Sequence, residues 1–234
     1  MRLWLSLTWR PSPTQPEYYL RKILAKKKDV YFIQIGANDG LVNDPLIRLI
    51  SLYNWHGVLL EPLSTVFHNQ LKPLHYKYQQ LIPVHAAITP SKETIQLYSL
   101  SFSQKRWATG LSTFRKEVLE EKIRSGYVSR MAKKYGDLLP IDKQEWIVSE
   151  TIQTIDFITL ISTYNLTNVD LLQIDTEGLD AEIIRLFPFH IYKPQVISFE
   201  HENFSESERK TCFLYLEQLG YSMIILERDA LAIA

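Results

Sequence analysis

Three strand-like runs of this 234-residue chain end in carboxylates: residues 57–60 lead into Glu61, 169–174 into Asp175 and 195–199 into Glu200. A fourth, residues 30–35, ends in the turn Gly36-Ala37-Asn38-Asp39-Gly40. In an open α/β sheet, ligands lie outside the carboxyl ends of the strands, so these residues fall on one rim. Carboxylates gathered there accept hydrogen bonds from hydroxyls, take up protons or hold a cation. Each alone reads as well as a helix cap or a surface charge; three at strand ends point to a site. Glu61 follows the glycine turn by about 20 residues, the spacing at which an acidic side chain meets the hydroxyls of a ribose. The turn lacks the G-x-G-x-x-G phosphate fingerprint, because Asn38 stands at the second glycine position. A nucleoside without phosphates therefore fits better than a dinucleotide. A purely structural turn explains the glycines equally well.

The elements that must position these side chains follow from the apolar pattern. Residues 30–35 carry the β-branched and aromatic content of a buried strand. Asp44 suits a helix N-cap and Pro45 the first helical position, giving a helix over 45–53. Further strands are expected at 57–60, 82–88, 94–100, 146–154, 169–175 and 195–200, with 94–100 alternating as an edge strand does. Helices are expected at 17–28, 65–71, 155–164, 179–187 and 205–219. Pro188 stops the fourth of these. Ser205 and Glu208 have capping-box spacing for the fifth, and Gly220 closes it. Strands at 221–226 and 230–234 would form a hairpin around Glu227-Arg228-Asp229. Residues 101–143 break the alternation. They are polar and basic, with Trp107, Phe114, Tyr127 and Tyr135 set among lysines and arginines and helical character over 114–134. This stretch reads as an insertion or lid, and Thr109-Gly110-Leu111-Ser112 suits a bend near the site. The chain thus divides into an N-terminal arm and helix (1–29) and one domain (30–234) that carries the insertion. Alternating strands and helices predict an α/β fold, a mostly parallel sheet covered on both faces, with an antiparallel element at the C-terminus.

The turn Gly36-Ala37-Asn38-Asp39-Gly40, the tripeptide Leu60-Glu61-Pro62 and the segment Ile174-Asp175-Thr176-Glu177-Gly178-Leu179-Asp180 together resemble the FkbM family of S-adenosylmethionine-dependent methyltransferases. The resemblance runs from about residue 30 to the end of the chain and covers 101–143 only loosely. It implies a class I, Rossmann-like sheet of about seven strands, the last antiparallel. It implies that Gly36, Ala37, Asn38, Asp39 and Gly40 wrap the methionine end of S-adenosylmethionine. Glu61 and Pro62 would lie at its ribose, and Ala86 and Ala87 by its adenine. Many class I methyltransferases carry an acid two residues before the first glycine. This chain has Gln34, whose amide oxygen can accept from the cofactor amine but brings no charge. Asp39 or Asp175 would supply that charge. The resemblance places Asp175 by the transferring methyl group, where the bland reading is a cap for the helix near Leu179. Candidates to take the proton of an acceptor hydroxyl are Asp175, Glu200 and His201, with Glu177 beside them. Carboxylates at these two strand ends hold Mg²⁺ in some other small-molecule methyltransferases. For this chain the expectation is that no metal is used.

The activity expected is O-methylation of a hydroxyl on a sugar, a glycan or a secondary metabolite. Trp107, Tyr127 and Tyr135 would stack on sugar rings, and Lys105, Arg106, Arg115 and Arg124 would meet anionic groups. Two other readings stand beside it. One is a nicotinamide-dependent oxidoreductase, against which the missing second glycine counts. The other is a non-catalytic, methyltransferase-like binding module, which Gln34 keeps open. Lysine plus arginine equal aspartate plus glutamate at 26 each. That balance argues against a dedicated nucleic-acid binder. The single cysteine, Cys212, sits in an apolar helical pattern, permits no intrachain disulfide and reads as a core residue. The first ten residues are too short for a membrane span, and no later run reaches about 18 apolar residues. Their tryptophans are expected to pack on the domain. A cytoplasmic protein without stable membrane insertion is expected, and a homo-oligomer is compatible with it.

Overall fold

The computed structural model describes residues 9–90 and 94–234. The strands are β1 Tyr31–Ile35, β2 His56–Leu60, β3 Leu81–Val84, β4 Ala87–Ile88, β5 Thr94–Leu100, β6 Ile147–Ile155, β7 Leu171–Ile174, β8 Val196–Glu200, β9 Ser222–Ile225 and β10 Asp229–Ile233. Seven of them form one sheet in the order β3-β2-β1-β7-β8-β10-β9. β10 runs antiparallel to both its neighbours, and the other pairs are parallel. This is the mostly parallel seven-stranded arrangement, with an antiparallel C-terminal strand, that the resemblance implied. A second sheet, β4-β6-β5, stands beside it, with β5 at its edge.

Both faces of the large sheet are covered, which is why its central strands read as nearly unbroken apolar runs. Ile33, Ile35, Leu172, Ile174, Ile197 and Phe199 face one buried cluster. Phe32, Leu171, Val196 and Leu231 face the other, beneath Leu20, Leu24, Leu46 and Leu49. The helix Pro16–Leu24 therefore packs into the domain's own core, with Leu20 and Leu24 fully buried. Trp9 also packs there, with Arg21 and Arg48 each 5.7 Å from its ring centre. The expectation for Trp4 lies outside the described residues. One row breaks the apolar face. Gln34, Gln173 and Ser198 sit side by side on β1, β7 and β8, all buried. Gln34 Oε1, Gln173 Oε1 and Ser198 Oγ find no hydrogen-bond partner among the described residues.

Several boundaries differ from the sequence expectation. The stretch 82–88 is two strands, not one. β3 pairs with β2, and the chain then leaves the large sheet at His85 and Ala86 so that β4 pairs with β6. Pro83 is tolerated because β3 is an edge strand. The N-terminal helix stops at Leu24 rather than at 28. The helix after the glycine turn starts at Ile47, not Pro45. Asp44 still closes its first turn, its Oδ1 accepting from the Leu46 and Ile47 N–H groups at 2.8 and 2.7 Å. The helical stretch 114–134 is two helices, Lys116–Arg124 and Tyr127–Tyr135, broken at Gly126 with φ 74°. These helices and the short Arg106–Thr109 lie in the excursion between β5 and β6, over a small core of Leu100, Leu111, Leu119, Val128 and Trp146. The last long helix, Glu206–Gln218, has the expected capping box between Ser205 and Glu208. No helix among the described residues is long and apolar enough to cross a membrane.

Candidate active site

The turn after β1 is held by β2 and β7. The Gly36 and Ala37 N–H groups both donate to the Leu60 carbonyl, at 3.0 and 2.9 Å. Gly36 has φ 78°, and a Cβ there would lie 1.8 Å from the Asp175 carbonyl oxygen. Only glycine lets the ends of β1 and β7 approach this closely. Asn38 is also left-handed, with φ 47°, and its N–H donates to Glu61 Oε2 at 2.8 Å. Glu61 Oε1 accepts from the Leu63 N–H at 2.8 Å, so the carboxylate bridges the glycine turn and the segment after β2. Burial raises the Glu61 pKa to about 7, against the pull of the two N–H donors.

Above this turn lies a hollow of about 620 Å³ that opens to solvent. Gly36 and Asn38 border one end, Glu61 and Pro62 a side, and Ala86, Ala87, Ile88, Leu97 and Phe114 an apolar far end. Gln34, Ala37, Asp39 and Gly40 lie beneath this wall rather than in it. Asp39 Oδ1 is occupied by the Leu41 and Val42 N–H groups at 2.8 and 2.9 Å. A Cβ on Gly40 would meet the Leu74 side chain at 2.7 Å, so this glycine serves packing. Gln34 Nε2 donates to Asp44 Oδ2 at 2.6 Å, which fixes the amide and leaves Oε1 as the free acceptor.

A second hollow of about 1240 Å³ adjoins the first. Trp107, Tyr127, Met131 and Tyr135 of the excursion border one side, and Asp175, Glu177, Glu200, Arg228 and Asp229 the other. Trp107 and Tyr135 stack with centroids 6.3 Å apart and planes at 10°. Trp107 Nε1 donates to Asp137 Oδ2 at 2.7 Å, which anchors the indole. Arg106, Gly110, Asp175 and Glu177 border both hollows.

Asp175, Glu177 and Glu200 converge there, with carboxylate oxygens within 4.8 Å of one another. Glu177 holds φ 52° in the turn after β7. Burial, then the Asp175 charge, raises its pKa to about 7. Burial and the charges of Asp175 and Glu177 raise Glu200 to about 8, although Arg228 pairs with it at 2.7 Å. Asp175 is exposed at the cleft; desolvation by the surrounding walls raises its pKa, opposed by Arg106 and Arg228. Arg228 and Lys122 offset part of this charge, and the raised pKa values of Glu177 and Glu200 let the cluster take up a proton near neutral pH. Its all-oxygen donor set suits a hard ion such as Mg²⁺.

Asp175 does not cap the helix that follows. Asp180, on the helix Asp180–Leu186, fixes that turn by accepting from Thr176 Oγ1 at 2.7 Å. The Asp175 side chain projects into the cleft. His201 borders neither hollow. It is 7% exposed, its Nε2 lies 3.2 Å from the Leu226 carbonyl oxygen, and its ring edge meets Phe213. Of the basic side chains expected to meet anions, Lys105 pairs with Asp137, and Arg115 with Glu182 and Glu208. Arg124 borders a different hollow with Lys116 and Lys143; Lys105 and Arg106 both line the second hollow, and of the two Arg106 also lines the first. Phe114, Leu97, Arg228 and Asp229 were not picked out as site residues, since nothing local marks them.

The profile of the methyltransferase FkbM domain matches residues 34–223. No curated protein matches the chain. Among solved structures it is similar to the methyltransferase FkbM from Methylobacillus flagellatus KT, with 12% identity and a TM-score of 0.52 over the whole of this chain and 50% of that one. The chain thus spans half of that structure's length, and the likeness is one of fold. It is also similar to the precorrin-6y C5,15-methyltransferase from Geobacter metallireducens GS-15, with 12% identity and a TM-score of 0.43 over 97% of this chain and 92% of that one.

Proposed function

The chain belongs to the FkbM methyltransferase family, and from that premise we propose that it transfers a methyl group from S-adenosylmethionine to a hydroxyl of a sugar, glycan or secondary metabolite. The observation that carries the reading is the meeting of two hollows at Asp175 and Glu177, one fitted to a nucleoside and one open and aromatic. The first hollow fits the cofactor on three counts. Glu61 presents a buried carboxylate on its wall. The far end is lined by the apolar side chains of Ala86, Ala87, Ile88, Leu97 and Phe114, as suits adenine. Gly36 borders it with backbone alone and no side chain. The cofactor supplies a methyl group made electrophilic by its sulfonium.

The remaining work falls to this chain. Glu61 accepts the ribose hydroxyls while its own two N–H donors hold it in place. Asn38 and Gly36 floor the methionine end. The Trp107–Tyr135 pair offers a stacking surface for a sugar ring, and Tyr127 lines the same basin. Glu177, at the junction and with its pKa near neutrality, takes the proton of the acceptor hydroxyl as the new bond forms. Asp175 lies beside it and holds the charge that keeps Glu177 basic. Glu200 is tied to Arg228 and serves to set that field. The polar, aromatic basin is what favours a small hydroxylated acceptor over nucleic acid. The buried, single cysteine is compatible with the cytoplasm.

Isothermal titration with S-adenosylmethionine and S-adenosylhomocysteine tests the reading. Binding of both, lost or greatly weakened in Glu61→Ala, is expected. A folded protein that binds neither refutes it.

A further inference from the structure

Resting on that reading of the cofactor, we propose that Arg106 grips the carboxylate at its methionyl end. The cationic contact then comes from the excursion between β5 and β6 and not from the sheet. Four observations converge on this residue. Its guanidinium borders both hollows, at their junction. Its charge bears on both Glu61 and Asp175, so it lies within electrostatic reach of both. Among the described residues it takes part in no ion pair, whereas Lys105, Arg115, Lys122 and Arg228 all do. The hydrogen bond found for it is a long one, from Nε to the Val42 carbonyl at 3.5 Å. A guanidinium has five N–H donors, so most remain uncommitted.

The position is also a built one. A Cβ on Gly110 would lie 2.5 Å from Arg106 Nη1, so a bare backbone makes room for the guanidinium. Val42 belongs to the segment just beyond the glycine turn. That contact sets the guanidinium at the methionine end of the hollow, opposite the apolar end made by Ile88, Leu97 and Phe114. The methionyl group is a zwitterion, and the junction offers one partner for each of its charges. Arg106 faces the carboxylate as a planar fork, and Asp175 faces the ammonium. The sheet ends around the junction carry only acids and Arg228, which is already paired with Glu200 and Glu202. Without Arg106 the cofactor carboxylate would meet like charge.

The test compares two ligands by titration calorimetry: S-adenosylhomocysteine, which has the amino-acid end, and 5′-methylthioadenosine, which lacks it. Arg106→Ala is expected to weaken S-adenosylhomocysteine about 10- to 100-fold, the loss of one charge-assisted contact. Measured at about pH 8, where Glu61 stays mostly ionised even without the Arg106 charge, it should leave 5′-methylthioadenosine within about twofold, since that ligand makes no such contact. Arg106→Lys keeps the charge but not the fork, and should fall between the two. Equal weakening of both ligands, or of neither, overturns the assignment, and the second result would give Arg106 to an anionic acceptor instead. If Arg106→Ala melts at assay temperature, Arg106→Lys decides, and an unchanged preference for S-adenosylhomocysteine again overturns it. Failure of the wild-type protein to bind either ligand counts against the cofactor reading itself, so the two failures are distinguishable.

Discussion

Titration of Glu61 should set the pH dependence of nucleoside binding. The side chain is 4% exposed, and burial holds its pKa at about 7 despite the N–H groups of Asn38 and Leu63. A ribose diol donates its hydrogen bonds to the ionised carboxylate, so ligand affinity scales with the ionised fraction. Taking the pKa of about 7, roughly one carboxylate in eleven is ionised one unit below it and ten in eleven one unit above it. Affinity should therefore rise about tenfold from about pH 6 to about pH 8, or about 1.4 kcal/mol. The sign is upward with pH because the competent form is the one that has lost its proton. The suitable ligand is 5′-methylthioadenosine. It carries the ribose and adenine but not the amino-acid end, and so stays clear of Glu177 and Glu200, which titrate in the same range. Calorimetry across that span, on wild type and Glu61→Gln, is the assay. The variant should bind about 10-fold or more weakly at high pH and show no slope. A flat wild-type profile, or a slope that survives in Glu61→Gln, would refute the reasoning.

Three further outcomes are expected. Gly36→Ala forces a side chain into a left-handed backbone and against the Asp175 carbonyl 1.8 Å away. It should cost about 3 kcal/mol and lower the melting temperature by roughly 5–10 °C in a thermal scan; an unchanged melt would contradict the close approach of β1 and β7. Asp180 is 1% exposed, and burial and then the Asp175 charge raise its pKa to about 7 from 3.8. A raised folded pKa gives stability that is complete below the unfolded value and lost as pH climbs through the folded one. The protein should then melt lower at about pH 8 than at about pH 5, and Asp180→Asn should flatten part of that slope by a few kcal/mol at most; a melt that rises over this span would oppose it. Cys212 is 1% exposed, with its thiol pushed up to about 12 by burial. It should resist a disulfide reagent in the native protein and react on unfolding, and fast native labelling would place it outside the core.

What could be read without coordinates was what is local in the chain. The glycine turn, the strand-end acids Glu61, Asp175 and Glu200, the Ser205–Glu208 capping box and the antiparallel C-terminal hairpin all rest on residues a few positions apart. Their chemistry follows from backbone geometry and side-chain type. The break at His85 and Ala86 was not legible, because buried parallel strands and the start of β4 share one apolar composition. Which sheet receives them depends on pairing with β6, about 60 residues further on. The same holds for the site. Asp39 is an acid of the glycine turn by sequence, and only the structure shows its Oδ1 accepting from two N–H groups of its own turn. His201 looked available until the hairpin beyond it brought the Leu226 carbonyl to its ring.

Sequence by itself determined the family, most of the strands and helices in chain order, and which acids sit at strand ends. Only the tertiary structure decided how those acids combine. Glu177 joins Asp175 and Glu200 because β7 and β8 lie side by side. Gln34 is fixed by Asp44 and keeps one acceptor free. Arg106 reaches the cleft from the excursion between β5 and β6, where Gly110 leaves its guanidinium space. The physical reason is that pKa values, free donors and cavities arise from burial and charge among residues distant in the chain. Their distances are fixed by packing and not by spacing.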